Sequence, residues 1–229
     1  LTDETREDLN MVYSLNQSKI NGALKVASKI KLAKQATGGR EMEALFIQGE
    51  SGTGKTTAAR YFATKLGKEA FISGSENDPL DGYGGQEYLV MDDLRGKAMD
   101  FAEFLKLSDN NTGSSYRSRY YNKVVEAEAL VITSTKSLAQ FANDLRNSDG
   151  ESMKQVYRRI KTVIIVTEES YNFYEYNVSY QQGEGDLVQS YECKEVNESG
   201  ALVTVTKEAR LPYRYLGRTE NEGLKEVRM

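Results

Sequence analysis

The stretch Leu45-Phe-Ile-Gln-Gly-Glu-Ser-Gly-Thr-Gly-Lys-Thr-Thr57 decides how the rest of this chain is read. It opens as a short apolar strand, turns through a glycine-rich loop and passes into a helical pattern. Gly49, Gly54, Lys55 and Thr56 satisfy G-x-x-x-x-G-K-[ST], a loop whose backbone N–H groups cradle phosphates. Glycines let amide donors turn toward an anion, and the helix N-terminus that follows adds partial positive charge. On this reading Gly49, Glu50, Ser51, Gly52, Thr53, Gly54, Lys55, Thr56 and Thr57 bind ATP. Lys55 reaches the β- and γ-phosphates, and the Thr56 hydroxyl ligates Mg2+. The competing reading, a glycine turn capping an ordinary helix, is disfavoured by the strand and helix signals on either side.

Composition narrows the possibilities. A chain of 229 residues buries a proper core and holds one large domain or one domain with appendages. No apolar run approaches the length of a membrane span. The N-terminus lacks the basic and apolar segments of a signal peptide, and it lacks an initiator Met, so a fragment or processed piece is expected. The single cysteine, Cys193, excludes an internal disulfide and suits a reducing cytoplasm. The absence of histidine removes His-based acid–base chemistry, His metal sites and nucleases built on a His pair. A net charge of −4 offers no global attraction to nucleic acid, so a polyanion site must come from local clustering.

Along the chain, residues 1–38 carry helix spacing in Ile20, Ala23, Leu24, Ala27 and Ile30, and Gly38-Gly39 breaks the pattern. Such a helix packs either on its own domain or, as a collar, on a neighbouring subunit. From residue 41 to 169 strand and helix signals alternate, which predicts a mostly parallel sheet covered by helices. Strands are expected at Ala44–Ile47, Ala70–Ser73, Tyr88–Met91, Leu130–Thr133 and Thr162–Val166. Helices are expected from Lys55 to Leu66, after an Asp100 cap, and after a Ser137 cap. Beyond Tyr171 a tyrosine-rich alternation and turn signals predict a small antiparallel meander ending with Leu202–Thr206. Its tyrosines serve either packing or base stacking. The tail from Arg214 carries no readable pattern.

Four further stretches carry chemistry. Tyr88-Leu-Val-Met-Asp-Asp93 ends an apolar strand in two acids, about forty residues after the glycine-rich loop. Asp92 is expected to hold Mg2+ from its outer shell and Asp93 to orient or deprotonate the attacking water. Leu130-Val-Ile-Thr-Ser-Thr-Lys136 ends another strand in hydroxyls, with Thr135 the first candidate and Ser134 the second for sensing the γ-phosphate. In Tyr116-Arg-Ser-Arg-Tyr-Tyr-Asn-Lys123, Arg117, Arg119, Tyr120 and Lys123 interleave cations with aromatics, which suits phosphate contact plus base stacking. A solvated hairpin has a similar composition. Arg158 and Arg159 are either surface charge or arginine fingers aimed at a neighbour's ATP, a task for which the guanidinium fork is suited.

Together these residues resemble the superfamily 3 helicase domain of replication initiator (Rep) proteins. The likeness is greatest to the Reps of circular single-stranded DNA viruses and of bacterial rolling-circle plasmids and mobile elements, and it spans roughly residues 40–168. Asp81-Gly-Tyr-Gly-Gly-Gln-Glu87 running into Tyr88–Gly96 is similar to the family's Walker B region. Arg119 and Lys123 fall where the family carries its DNA-binding hairpin, Leu130–Thr135 resembles its motif C, and Tyr157–Ile160 resembles its finger segment. The resemblance implies an α/β, AAA+-like P-loop NTPase fold: a parallel sheet with flanking helices. With the likeness covering the ATPase core at 39–169, the pattern on either side leaves a helical oligomerisation segment expected at 1–38 and, outside the resemblance, a β-rich region at 170–229. The resemblance also implies a homo-oligomeric ring, usually hexameric, that hydrolyses ATP with Mg2+ between subunits and moves 3′→5′ on single-stranded DNA. A bacterial cytoplasm, or a nucleus for a eukaryotic virus, is the implied setting. Two departures stand out. Motif C usually ends in Asn, where this chain has Thr135. The family's nicking domain uses a His pair that this chain lacks, so a helicase portion linked to, or cooperating with, a nicking endonuclease is expected. An ATP-switched origin-binding scaffold and an RNA-directed helicase are the competing readings.

Overall fold

The computed structural model describes residues 41–73, 78–94, 99–110, 115–116, 123–146, 152–177, 179 and 187–220. The expected N-terminal helical segment lies outside the described residues. Five strands form the parallel heart of one sheet: β1 (Glu43–Gln48), β2 (Ala70–Ser73), β3 (Tyr88–Met91), β6 (Ala129–Ser134) and β7 (Ile160–Val166). Two more, β8 (Ser170–Tyr176) and β11 (Tyr213–Glu220), add on antiparallel and complete the order β11-β8-β7-β1-β6-β3-β2. The strand carrying the glycine-rich loop is thus separated from the acidic strand by β6. Every residue of β6 is buried, as a central strand covered on both faces requires.

Strand parity assigns the two faces. Ile47, Val90, Val131 and Ile164 pack against helix α1 (Lys55–Lys65), which brings Ala58 and Ala59 to the sheet. Small side chains there let the helix axis approach closely. Phe46, Met91, Leu130, Ile132 and Val163 form the opposite face, covered by α2 (Phe101–Leu107) and α3 (Leu138–Leu145). Phe141 fills the centre, 5.2 Å from Phe46 and 6.2 Å from Phe104 between ring centroids. Both helices start where side-chain caps are expected: Asp100 accepts from Ala102 N and Ser137 from Gln140 N. A short antiparallel pair, β4 (Ser115–Tyr116) and β5 (Lys123–Val124), follows α2. A single helical turn, α4 (Lys154–Tyr157), leads into β7.

The C-terminal strands are antiparallel, as the alternation predicts, but their partners differ from those of a self-contained meander. Strand β8 pairs with β7, and β11 emerges from the tail that the sequence pattern left unread. Only β9 (Leu187–Val196) and β10 (Leu202–Leu211) pair with each other alone. The tyrosines pack on one another, Tyr174 with Tyr215 and Tyr176 with Tyr213. Helix α3 covers the free edge of β9 with side chains. Asn143 donates to Glu192 O at 3.0 Å, Gln140 Oε1 accepts from Glu192 N at 2.7 Å, and Ser137 donates to Ser190 O at 3.1 Å. Buried Gln189 then links this hairpin to two core elements: it donates to Gln48 Oε1 at 2.7 Å and accepts from Ala139 N at 3.0 Å. Among the described residues no helix is long and apolar enough to cross a membrane.

Replacing Gln189 with alanine leaves the buried Ala139 N–H without its acceptor. Urea unfolding is expected to show a loss of about 1–3 kcal/mol, the usual penalty for an orphaned buried donor. An unchanged midpoint would show that this link does not hold the hairpin.

Candidate nucleotide site

Parallel pairing carries the ends of β1, β3 and β6 to one edge of the sheet, where the chemistry-bearing residues collect. Gly49 follows β1 directly, and its N–H donates to Ser134 O at 3.2 Å. A Cβ on Gly49 would stand 2.4 Å from Val166 O, so this position admits only glycine for lack of room. Gly52 and Gly54 serve differently: both take left-handed backbone, φ 83° and 93°, which glycine adopts without penalty. Between them Thr53 donates from its N–H and its hydroxyl to Glu50 O, at 3.4 and 3.0 Å. Buried Lys55 donates to the same carbonyl at 2.7 Å. The loop is therefore braced around the Glu50 carbonyl, with Ser51 and Gly52 exposed at its crest. Gly54 gives α1 no side-chain cap and its first turn holds no acid, leaving a positive helix end suited to an anion.

Asp92 joins three segments. Its Oδ1 accepts from the Thr56 hydroxyl at 2.6 Å and from the Thr133 hydroxyl at 2.7 Å. Parity explains the meeting: Asp92 follows Val90, and Thr133 follows Val131, on the face that α1 covers. Thr133 Oγ1 in turn accepts from Asp93 N at 2.9 Å. The turn is stapled twice more, by Leu94 N to Thr133 O at 2.9 Å and by the Ser134 hydroxyl to Leu94 O at 3.1 Å. These bonds hold Asp93 in left-handed backbone, φ 48°, a conformation costing on the order of 1 kcal/mol in a non-glycine residue. The Asp93 carboxylate is thereby presented at the exposed edge. Thr135 sits one residue past β6 and is exposed, whereas Ser134 is buried and engaged with Leu94 and with Lys136 N.

Thr133, which the sequence analysis passed over, therefore touches both acids. A signal for it existed in the strand alternation, since the residue two after a buried Val131 must share its face. The donors fit a hard cation. Magnesium takes oxygen ligands and keeps several waters, and it is commonly held by one or two protein groups plus substrate phosphates. Thr56 and Asp92 supply that kind of set, and among the described residues no cluster of three or more metal-ligating side chains offers a self-sufficient cage.

The hairpin of β4 and β5 stands on fixed feet. Asn110, at the exit of α2, accepts from Met42 N at 2.9 Å and donates to Met42 O at 2.8 Å. The Tyr83 hydroxyl donates to Gln86 O at 3.0 Å and accepts from Glu126 N at 3.1 Å. Lys123 is paired with Tyr116 in the hairpin's strands. Arg117, Arg119 and Tyr120 lie outside the described residues. Arg158 and Arg159 sit at the opposite end of β7 from the glycine-rich loop. Seven residues of parallel strand span about 20 Å, farther than an arginine side chain reaches. Neither arginine can reach phosphates held by its own chain's loop.

A five-stranded parallel core, a phosphate-type loop opening α1 and an acid on the strand beyond β6 define a P-loop NTPase. A family model described as RNA helicase matches residues 45–136. A replication protein of Onion yellows phytoplasma (strain OY-M) is 42% identical over 139 residues, which is 61% of this chain and 37% of that protein. Residues 45–136 are accordingly similar to a superfamily 3 helicase-type domain of the kind found in Rep proteins. The chain spans little more than a third of the length of the relative it matches.

Two substitutions probe this geometry. Gly49→Ala is expected to abolish nucleotide binding measured by fluorescent-analogue titration, because its methyl group meets backbone rather than a movable side chain. Thr133→Val removes both the donor to Asp92 and the acceptor for Asp93 N–H. Phosphate release is expected to fall about 10–100-fold, the usual loss for a group that orients metal ligands, with circular dichroism unchanged. A rate within twofold of the parent would contradict that role.

Proposed function

We propose that this chain is the ATP-hydrolysing helicase portion of a DNA replication protein. The observation that carries the proposal is the junction of Thr56, Asp92 and Thr133, which joins the phosphate loop to the acidic strand. Lys55 and the loop amides bind the triphosphate, with Glu50, Ser51, Thr53 and Thr57 contributing the remaining wall. Thr56 and Asp92 hold Mg2+, which when bound neutralises charge on the phosphate oxygens. Asp93 orients or deprotonates the attacking water, aided by the backbone that Thr133 and Ser134 hold in place. Thr135, one residue past β6, reads the γ-phosphate.

The remaining parts follow from what one chain lacks. A transition state with charge spread over phosphoryl oxygens is stabilised by an added guanidinium. Arg158 and Arg159 cannot supply it in cis, so a neighbouring subunit supplies it, and the working form is a ring. Arg117, Arg119, Tyr120 and Lys123, which follow Tyr116 in sequence, engage single-stranded DNA in the channel. Translocation then runs 3′→5′. Residues 1–38 serve as the oligomerisation segment, 39–169 as the ATPase core and 170–229 as the β-rich region. A linked or cooperating nicking endonuclease, in a bacterial cytoplasm, completes the system. The similarity to a phytoplasma replication protein supports DNA, whereas the RNA helicase description of the matched family keeps RNA as the second reading.

Lys55→Ala is expected to abolish ATP hydrolysis, and Lys123→Ala to weaken mainly its stimulation by DNA. A fork-unwinding assay with DNA and RNA loading strands decides between the readings. Displacement that needs a DNA 3′ tail supports the proposal. An RNA-only requirement supports the second reading, and binding without displacement would show an ATP-switched scaffold.

A further inference from the structure

We propose that Arg158 is the residue that touches the neighbouring subunit's phosphates, while Arg159 and Tyr213 are positioning residues for it. The inference rests on the trans-acting arginine reading above and resolves two adjacent cations into different roles. Three observations carry it.

The first is the asymmetry of the pair. Arg158 ends α4 at the C-cap position and is exposed. Among the described residues its side chain has no hydrogen bond or ion pair to break before leaving the surface. Arg159 is half-buried and folds back along α4, donating from a guanidinium nitrogen to Gln155 O at 3.2 Å. Burial lowers its pKa, the neighbouring Arg158 lowers it further, and Asp109 at the exit of α2 offsets part of the effect. To reach another subunit Arg159 would have to abandon these contacts. Arg158 would abandon none.

The second observation is the clasp beneath the pair. Tyr213, at the start of β11, is completely buried, and its hydroxyl is shared between Tyr157 O at 3.0 Å and Ile160 O at 2.9 Å. Those two carbonyls bracket Arg158 and Arg159. A strand more than fifty residues away in sequence thus sets the backbone from which the arginines project. The third is the rigidity of the mount, since Val156, Tyr157 and Ile160 are all buried in the main core. A phosphate ligand that must be placed to within an ångström benefits from such a mount.

The test uses the whole 229-residue chain. Arg158→Ala is expected to lower kcat at least about 1000-fold, the scale of an arginine finger, with KM for ATP and the melting temperature unchanged. Arg159→Ala and Tyr213→Phe are expected to lower kcat about tenfold singly, an order typical of groups that orient others. In the Arg158→Ala background neither should lower it further, because nothing remains to be positioned. Losses that multiply in the double variants would overturn the positioning role. A near-parental Arg158→Ala protein beside an inactive, folded Arg159→Ala protein would overturn the assignment.

Mixing each variant with Asp93→Ala subunits separates this inference from the reading beneath it. Recovery of ATPase activity for both arginine variants supports the proposal. Recovery for Arg159→Ala alone overturns the assignment and leaves a shared site standing, and recovery for Arg158→Ala alone keeps the finger but removes the positioning role. Recovery for neither, with ring mass intact, overturns the shared site itself.

Discussion

The carboxylate of Asp92 is the point on which the nucleotide edge of this protein depends. Through one oxygen it accepts from hydroxyls on two other segments, Thr56 of α1 and Thr133 of β6. A charged acceptor makes such bonds shorter and stronger than neutral pairs, and a partly buried setting weakens the competition from water. If Thr56 turns toward a cation, Thr133 still holds the acid in position. The same threonine accepts from Asp93 N, so one side chain of β6 orders both acids. The strained turn at Asp93 persists because three bonds to β6 determine it.

The strand order makes this possible. A central strand buried on both faces is placed between the loop strand and the acidic strand, and its last two residues, Thr133 and Ser134, are polar although buried. Half-buried Gln48, at the end of β1, extends the connection outward. It accepts from Leu138 N of α3 and from Gln189 of β9, so the loop strand, α3 and the C-terminal hairpin meet at one amide. The C-terminal strands are consequently part of the domain's architecture: β8 and β11 widen the sheet, and Tyr213 reaches under the arginine segment.

Much of this was legible in the sequence because it rests on local signals. The glycine-rich loop, the apolar runs Ala70–Ser73 and Tyr88–Met91, and the caps Asp100 and Ser137 are written in consecutive residues. What escaped depends on partners distant in sequence. Thr133 looked like an ordinary strand residue beside the more conspicuous Ser134 and Thr135, and only the α1-facing parity of Val131 singles it out. Strand β11 carries glycine and charge and has its pairing interrupted between Tyr215 and Gly217, so no clean alternation announces it. Arg158 and Arg159 are identical in type and adjacent in sequence, and only the fold-back onto Gln155 tells them apart.

On the proposed reading, one chain holds half of a catalytic site. The direct measurement is ATPase rate per chain as a function of protein concentration, with particle mass recorded on the same samples by mass photometry. Particles at the 25.7 kDa mass of the single chain are expected to be essentially inactive, with the rate per chain rising as multiples of that mass appear. A full, concentration-independent rate from single-chain particles would contradict that reading.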